Sequence, residues 1–152
     1  KYPTEHLKIV GSGSFQSELE NHVTTSNIQN VSVLGAKKPE ELIELYACAK
    51  FTIVPSEILE SYGNVILESV AFNKTVIISD LLGIKNEVAK NKSGLIFPHG
   101  NVLKLAESIE RLLTDADLKK ELEENAAKYV RNFSFENHFK NLLIIYKKVL
   151  QK

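Results

Sequence analysis

The chain has 152 residues, 43% apolar and 25% charged, which is the composition of a globular protein long enough to bury a core. Its 19 basic and 19 acidic residues balance, so net charge does not favour nucleic acid or an anionic membrane as a partner. The single cysteine, Cys48, excludes a disulfide framework, and we expect it to be a small buried residue on a helix. The histidines have no acidic or cysteine partners at ligand spacing, and no apolar run is long enough to span a membrane.

The sequence contains no methionine and begins at Lys1. It shows no internal repeat and no low-complexity linker that would mark a boundary between domains. We therefore expect residues 1–152 to form a single domain that is a fragment of a longer protein.

Short apolar runs alternate with stretches of helical period. The predicted strands are 7–10, 31–35, 51–54, 75–79 and 94–97. The predicted helices are about 15–23, 39–46, 63–71, 102–113, 117–129 and 135–150. The unbroken β-branched run at 75–79 is typical of a parallel strand covered by helices on both faces. This alternation predicts an α/β fold with a doubly wound parallel sheet.

Ligands of such sheets bind beyond the carboxyl ends of the strands, where loops lead into helices. The loops to consider are therefore 11–14, 55–64 and 80–87. Glycines in the first would let the backbone approach a phosphate, but the third glycine of the dinucleotide fingerprint is missing, and the chain contains no P-loop pattern. Taken alone, this loop is equally consistent with a turn in which Ser14 caps the following helix.

The second loop carries two glutamates, Glu60 and Glu68, with seven residues between them. A helix is predicted to begin near Gly63 and to bury four residues, namely Val65, Ile66, Val70 and Ala71. Its free amides would point at a diphosphate, Glu68 could accept hydrogen bonds from ribose hydroxyls, and Glu60 could reach a group beyond the diphosphate. The alternative is that Glu60 is a solvated loop residue and that Glu68 is favoured by the helix dipole alone.

The motifs at 55–71 and 75–80 resemble the signature of the family 4 retaining glycosyltransferases, also called glycosyl transferases group 1. The similarity continues through the glycine loop at 11–13, through 33–35, and through Glu87 to the closing 133–136. Members of this family have the GT-B architecture, in which two Rossmann-like domains face each other across a cleft. The resemblance implies that this chain is the C-terminal, donor-binding domain of such a two-domain enzyme.

The resemblance assigns roles to the two glutamates. Glu68 matches the residue that binds the ribose hydroxyls of the donor. Glu60 matches the residue that contacts hydroxyls of the transferred sugar, so it is the predicted catalytic residue.

Further donor contacts are implied for the backbone. The helix start that meets the diphosphate and the sugar corresponds to Gly63, Asn64 and Val65. Gly13 falls in the glycine loop near the phosphates. Gly35 and Ala36 match the region whose backbone contacts the nucleobase in members of the family. The family uses a nucleoside-diphosphate sugar as substrate, so the resemblance implies no further cofactor and no metal.

The sequence departs from the family pattern at two places. The Arg and Lys that neutralise the diphosphate have no counterpart here, so we expect the sheet to be truncated at its N-terminal edge and these residues to lie outside the chain. The glycine pair that usually precedes the position of Glu87 is reduced to Gly83. Lys85 either supplies part of the missing charge or is simply solvated.

The resemblance implies transfer of a hexose, with retention, to a glycan or lipid-linked acceptor held by the missing N-terminal domain, and a role in polysaccharide biosynthesis. The fragment alone is expected to be inactive. The parent protein is expected in the cytoplasm, or peripherally at the inner face of the membrane. Two alternatives remain: another GT-B enzyme, such as a nucleotide-sugar epimerase or a phosphorylase, and a non-catalytic α/β module that binds a partner through its last helix.

Overall fold

Strands and helices alternate in the computed structural model, which describes residues 2–150 apart from the side chain of Asn132. The strands are β1 (Leu7–Ile9), β2 (Val31–Val33), β3 (Thr52–Val54), β4 (Val76–Ser79) and β5 (Gly94–Phe97). The helices are α1 (Gln16–Thr25), α2 (Pro39–Cys48), α3 (Asn64–Ala71), α4 (Lys85–Asn91), α5 (Val102–Thr114), α6 (Ala116–Val130) and α7 (Phe135–Leu150). A short 3-10 turn, Arg131–Phe133, precedes α7.

The chain divides into two compact units, one ending at Leu45 and the other beginning at Tyr46. In the first unit, β1 and β2 pair in parallel. In the second, β4 lies between β3 and β5 and is parallel to both. All strand pairs within residues 2–150 are therefore parallel, which confirms the α/β class. The extent of the domain, 1–152, stays a prediction.

Strand β4 forms the centre of the second unit, and all four of its residues are buried. On one face, Val76 and Ile78 pack against residues of α3 and α4. On the other face, Ile77 packs against residues of β5, α5 and α6. Burying an isoleucine side chain contributes roughly 1.5–3 kcal/mol, so this strand is a major source of stability. Helices on both faces of β4 confirm the doubly wound arrangement in this unit.

Helix α3 turns a different face to the core from the one predicted. Ile66 and Val70 are fully buried as expected, but Val65 is 42% exposed and Ala71 is also exposed. Ser69 takes the remaining inner position, and its hydroxyl donates to a β3 threonine hydroxyl 2.8 Å away. The inner face thus follows the i, i+3, i+4 pattern of a helix, which leaves Val65 outside it.

The structure differs from the sequence predictions at two further places. No helix was predicted where α4 lies, because its seven residues contain a single buried apolar residue, Val88, and hence no helical period. Its formation follows from the burial of Val88 and the preceding Ile84 against β4. Cys48 is exposed at the end of α2 and not buried.

Helix α5 begins with a side-chain cap. The Asn101 side-chain oxygen accepts a hydrogen bond from the backbone N–H of Lys104 at 3.0 Å. We expect Asn101→Ala to lower the free energy of unfolding by about 1 kcal/mol, since it leaves that N–H without its partner. Asn101→Asp should retain the stability, because its carboxylate accepts the same bond and suits the helix dipole. Urea denaturation of both variants tests this, and equal losses would contradict it.

None of the helices in residues 2–150 combines the length and apolar character needed to cross a lipid bilayer. The predicted localisation of the parent protein stays a prediction.

Candidate functional site

Two hydrogen bonds tie the loop that carries Glu60 to the carboxyl edge of the second unit, and a third lies within the loop. The Ser79 hydroxyl donates to the carbonyl oxygen of Ser56 at 2.7 Å, which fixes the start of the loop on β4. The Ser56 hydroxyl in turn donates to the Glu60 carboxylate. The N–H of Gly83 donates to the Glu60 carbonyl oxygen at 2.8 Å. Both the backbone and the carboxylate of Glu60 are therefore held in place.

Gly83 permits a close approach of two loops. A Cβ atom at this position would lie 2.2 Å from the carbonyl oxygen of Ser61 and 3.2 Å from that of Glu60. Both obstacles are backbone atoms, so a rotamer change could not relieve the contact. The single glycine of this family motif is thus the one that lets the Glu60 loop pack against the loop after β4.

Helix α3 directly follows a glycine in a left-handed conformation. Gly63 has φ +70°, and within the described part of the chain no side chain caps this end of the helix. The carbonyl oxygen of Gly63 accepts a hydrogen bond from Ile66 N–H at 2.9 Å. The amides of Asn64 and Val65 belong to the first turn, where intrahelical acceptors are lacking. This end of α3 therefore offers backbone donors and the positive end of the helix dipole to an anion.

Glu68 is the fifth residue of α3 and is exposed. The Tyr46 hydroxyl donates to its Oε2 atom at 2.8 Å. Burial of the Tyr46 phenol, together with this bond to Glu68, raises the pKa of Tyr46 above its ordinary value. Sequence reasoning missed this contact, because position 46 entered the prediction only as the end of the predicted helix 39–46.

A third polar group lies at the same edge, after β4 and β5. Asp80 accepts hydrogen bonds from the backbone N–H of His99 at 2.9 Å and from the His99 ring at 2.8 Å, and these bonds hold the pKa of Asp80 below its usual value. The Lys85 ammonium donates to the carbonyl oxygen of Asp80 at 2.6 Å. Lys85 is partly buried, and whether its charge contributes to binding a diphosphate stays a prediction.

In the first unit, the predicted phosphate and base positions lie after β1 and β2. The N–H of Gly11 donates to the carbonyl oxygen of Gly35 at 2.9 Å, so the glycine loop and Gly35 are neighbours. Gly35 has φ +65°, a conformation that favours glycine. Gly13 and Ala36 are exposed, which leaves both accessible to a ligand.

The alternative role of Ser14 as a helix cap was wrong. Helix α1 begins at Gln16, whose N–H bonds to the carbonyl oxygen of Gly13 at 3.1 Å. Among the residues described, no side chain caps this helix. The loop 11–14 therefore leads into α1 through a backbone turn.

Comparison with known proteins identifies the family. The sequence model of the family described as "Glycosyl transferases group 1" matches residues 1–129 of the chain. The chain belongs to this family. A glycosyltransferase of Methanocaldococcus jannaschii is 30% identical over 131 residues, which are 86% of this chain and 37% of that protein. The predicted resemblance is thus confirmed.

Solved structures share the fold over nearly the whole chain. A glycosyltransferase from Rickettsia africae matches with a TM-score of 0.83 and 25% identity, covering 97% of this chain and 41% of that one. Anabaena Alr3699/HepE in complex with UDP matches with a TM-score of 0.80 and 22% identity, with the same coverage of 97% and 41%. These matches confirm the Rossmann-like fold of a GT-B C-terminal domain. This group 1 chain spans well under half the length of each of these three proteins.

Proposed function

We propose that this chain binds a nucleoside-diphosphate sugar and is the donor-binding domain of a retaining glycosyltransferase that transfers a hexose to a glycan or lipid-linked acceptor. Membership of glycosyl transferases group 1 supports the class of reaction. The observation that carries the proposal is the start of α3 directly after Gly63, where none of the described side chains caps the helix; a loop glutamate precedes this start and Glu68 follows it on the helix. The UDP held by the Anabaena structure makes uridine nucleotides the first donors to test.

The α3 amides are proposed to meet the diphosphate. As the bond between the sugar and the diphosphate breaks, negative charge develops on the departing oxygen, and preorganised amide donors stabilise that charge. The dipole of α3 acts in the same direction. Asn64 and Val65 carry these amides, and Gly13 would contribute a backbone contact to the phosphates.

The two glutamates are proposed to hold the two ends of the donor. Glu68 would accept hydrogen bonds from the ribose hydroxyls, while Glu60 would accept them from hydroxyls of the transferred sugar. The backbone at Gly35 and Ala36 would meet the base. No general base is assigned within the chain, because a front-side displacement, in which the acceptor attacks from the side of the leaving diphosphate, requires none here. The reaction is proposed to need no metal.

We expect Glu68→Gln to weaken binding of the preferred nucleoside diphosphate about 10- to 100-fold, since charged hydrogen bonds to hydroxyls contribute more than neutral ones. The measurement is calorimetric titration of the full-length protein with UDP, GDP and ADP, with and without Mg²⁺. Glu121→Gln, which removes an exposed carboxylate of α6, is the matched control. Equal affinities of the Glu68 variant and the parent protein would refute the ribose assignment.

One observation favours a second candidate function, a non-catalytic module that binds a partner through α7. No residue of α7 is buried, and its C-terminal half exposes a run of apolar side chains. These are Leu143, Ile144, Ile145, Tyr146, Val149 and Leu150. Such a module would not respond to nucleotides, and the parent protein would keep its biological function after Glu60→Ala. Either result would favour this second function over sugar transfer.

A further inference from the structure

We propose that Tyr46 is a positioning residue that holds the Glu68 carboxylate in the orientation needed to accept the ribose hydroxyls of the donor. The inference rests on the proposed function, which assigns Glu68 to the ribose. Tyr46 acts through Glu68 and makes no contact with the substrate.

The contact that carries this inference joins two helices of the chain. Tyr46 lies on α2 and Glu68 on α3, and the phenol hydroxyl donates to Oε2 of the carboxylate at 2.8 Å. Glu68 is otherwise an exposed glutamate on a helix surface. A glutamate side chain has several rotamers, and ordering it on ligand binding costs conformational entropy. A partner that selects one orientation beforehand removes part of that cost.

Tyr46 is itself held in place. Its ring stacks on Phe72 with the ring centroids 5.6 Å apart and an interplanar angle of 14°. Phe72 directly follows α3, and its N–H bonds to the carbonyl oxygens of Glu68 and Ser69 at 3.3 Å and 3.0 Å. The end of α3 thus supports the ring whose hydroxyl holds Glu68, so the tyrosine and the carboxylate are fixed relative to the same helix.

The chemistry of the pair leaves Glu68 free to bind a ligand. A carboxylate has two oxygens with about four acceptor sites, and the phenol takes one site on Oε2. Oε1 and the remaining site on Oε2 stay available for two hydroxyl donors. A tyrosine phenol is protonated at neutral pH at its ordinary pKa, and the pKa of Tyr46 is raised further, so the hydroxyl continues to donate and does not repel the carboxylate.

The test is Tyr46→Phe, which removes the hydroxyl and keeps the ring that stacks on Phe72. Calorimetric titration of the full-length protein uses two probes, UDP and its 2′,3′-dideoxy form, which lacks the ribose hydroxyls. We expect UDP binding to weaken about 3- to 10-fold, because the Glu68 side chain must then be ordered when the ligand binds, and ordering one such side chain has a cost of about this size. Binding of the dideoxy form should be unchanged, because it has no ribose hydroxyls that could donate hydrogen bonds to Glu68.

Two further variants complete the design. Thr114→Val removes an exposed hydroxyl at the end of α5 and should leave both affinities unchanged. In the double variant with Glu68→Gln, Tyr46→Phe should add no further loss, since residues that act as one unit are not additive. The thermal midpoint of each variant shows whether the fold is intact.

The outcomes separate the two claims. A loss for UDP alone supports the role of Tyr46. An equal loss for both probes indicates a purely structural role, and tighter UDP binding indicates that Tyr46 competes with ribose for Glu68, so either result overturns the inference. If Glu68→Gln weakens UDP binding and Tyr46→Phe does not, this inference alone fails. If Glu68→Gln has no effect, the proposed function loses its ribose contact and the inference fails with it.

Discussion

Replacing Glu60 with glutamine is expected to lower kcat for sugar transfer about 100- to 1,000-fold, the range seen when one stabilising group of an active site is removed. Glutamine has the shape of glutamate, and its side-chain oxygen can still accept a hydrogen bond from the Ser56 hydroxyl. The loop should therefore keep its conformation. The negative charge that would bind the sugar hydroxyls is lost. Affinity for the nucleoside diphosphate should stay unchanged, because Glu68 is the residue proposed to hold the ribose.

The control for this experiment is Glu57→Gln, which removes the charge of an exposed glutamate on the same loop. Transfer by this variant should match that of the parent protein. Steady-state kinetics with the full-length protein and calorimetric titration with UDP measure the two effects separately. Transfer by Glu60→Gln at the rate of the parent protein would show that Glu60 is a solvated loop residue, the alternative that its sequence position leaves open.

The sequence predicted the sheet well because its signal is local. The run 75–79 consists almost entirely of β-branched residues, and the structure buries all of β4 within it. The local sequence pattern did not predict α4, because Val88 is the one buried residue of this seven-residue helix. That helix depends on contacts with a distant strand, and a window of neighbouring residues does not contain them.

In the candidate site, too, the sequence identified the residues of the local motif but not their distant contact partner. The family motif picks out Glu60, Gly63 and Glu68; in the structure Glu60 lies on the loop before α3, Gly63 directly precedes this helix, and Glu68 lies on it. The partner of Glu68 could not be predicted, because Tyr46 is 22 positions away and its ring occupies an apolar position of α2. The helical period of the sequence predicts that such a ring is partly buried, but it does not predict the direction of the hydroxyl group.

We expect Gly83→Ala to lower kcat at least about 100-fold, because displacement of a positioning loop by about 1 Å has an effect of this size. The new Cβ atom would lie 2.2 Å from the Ser61 carbonyl oxygen, so the two loops must separate. Their separation would break the hydrogen bond from Gly83 N–H to Glu60. The free energy of unfolding should fall by about 1–3 kcal/mol, as for other overpacked sites.

A loss of stability alone could also reduce activity, so the control is Ile77→Val, which is expected to cost about 0.5–1.5 kcal/mol. Ile77 faces α5 and α6, on the side of β4 away from the residues that pack against α3 and α4. The destabilisation of this variant should overlap the lower end of the range expected for Gly83→Ala, and the variant should still transfer sugar at the normal rate. Equal rates for Gly83→Ala and Ile77→Val would contradict the prediction, because activity would then follow stability and not the position of the Glu60 loop. A large loss confined to Gly83→Ala would tie transfer to the contact between the two loops.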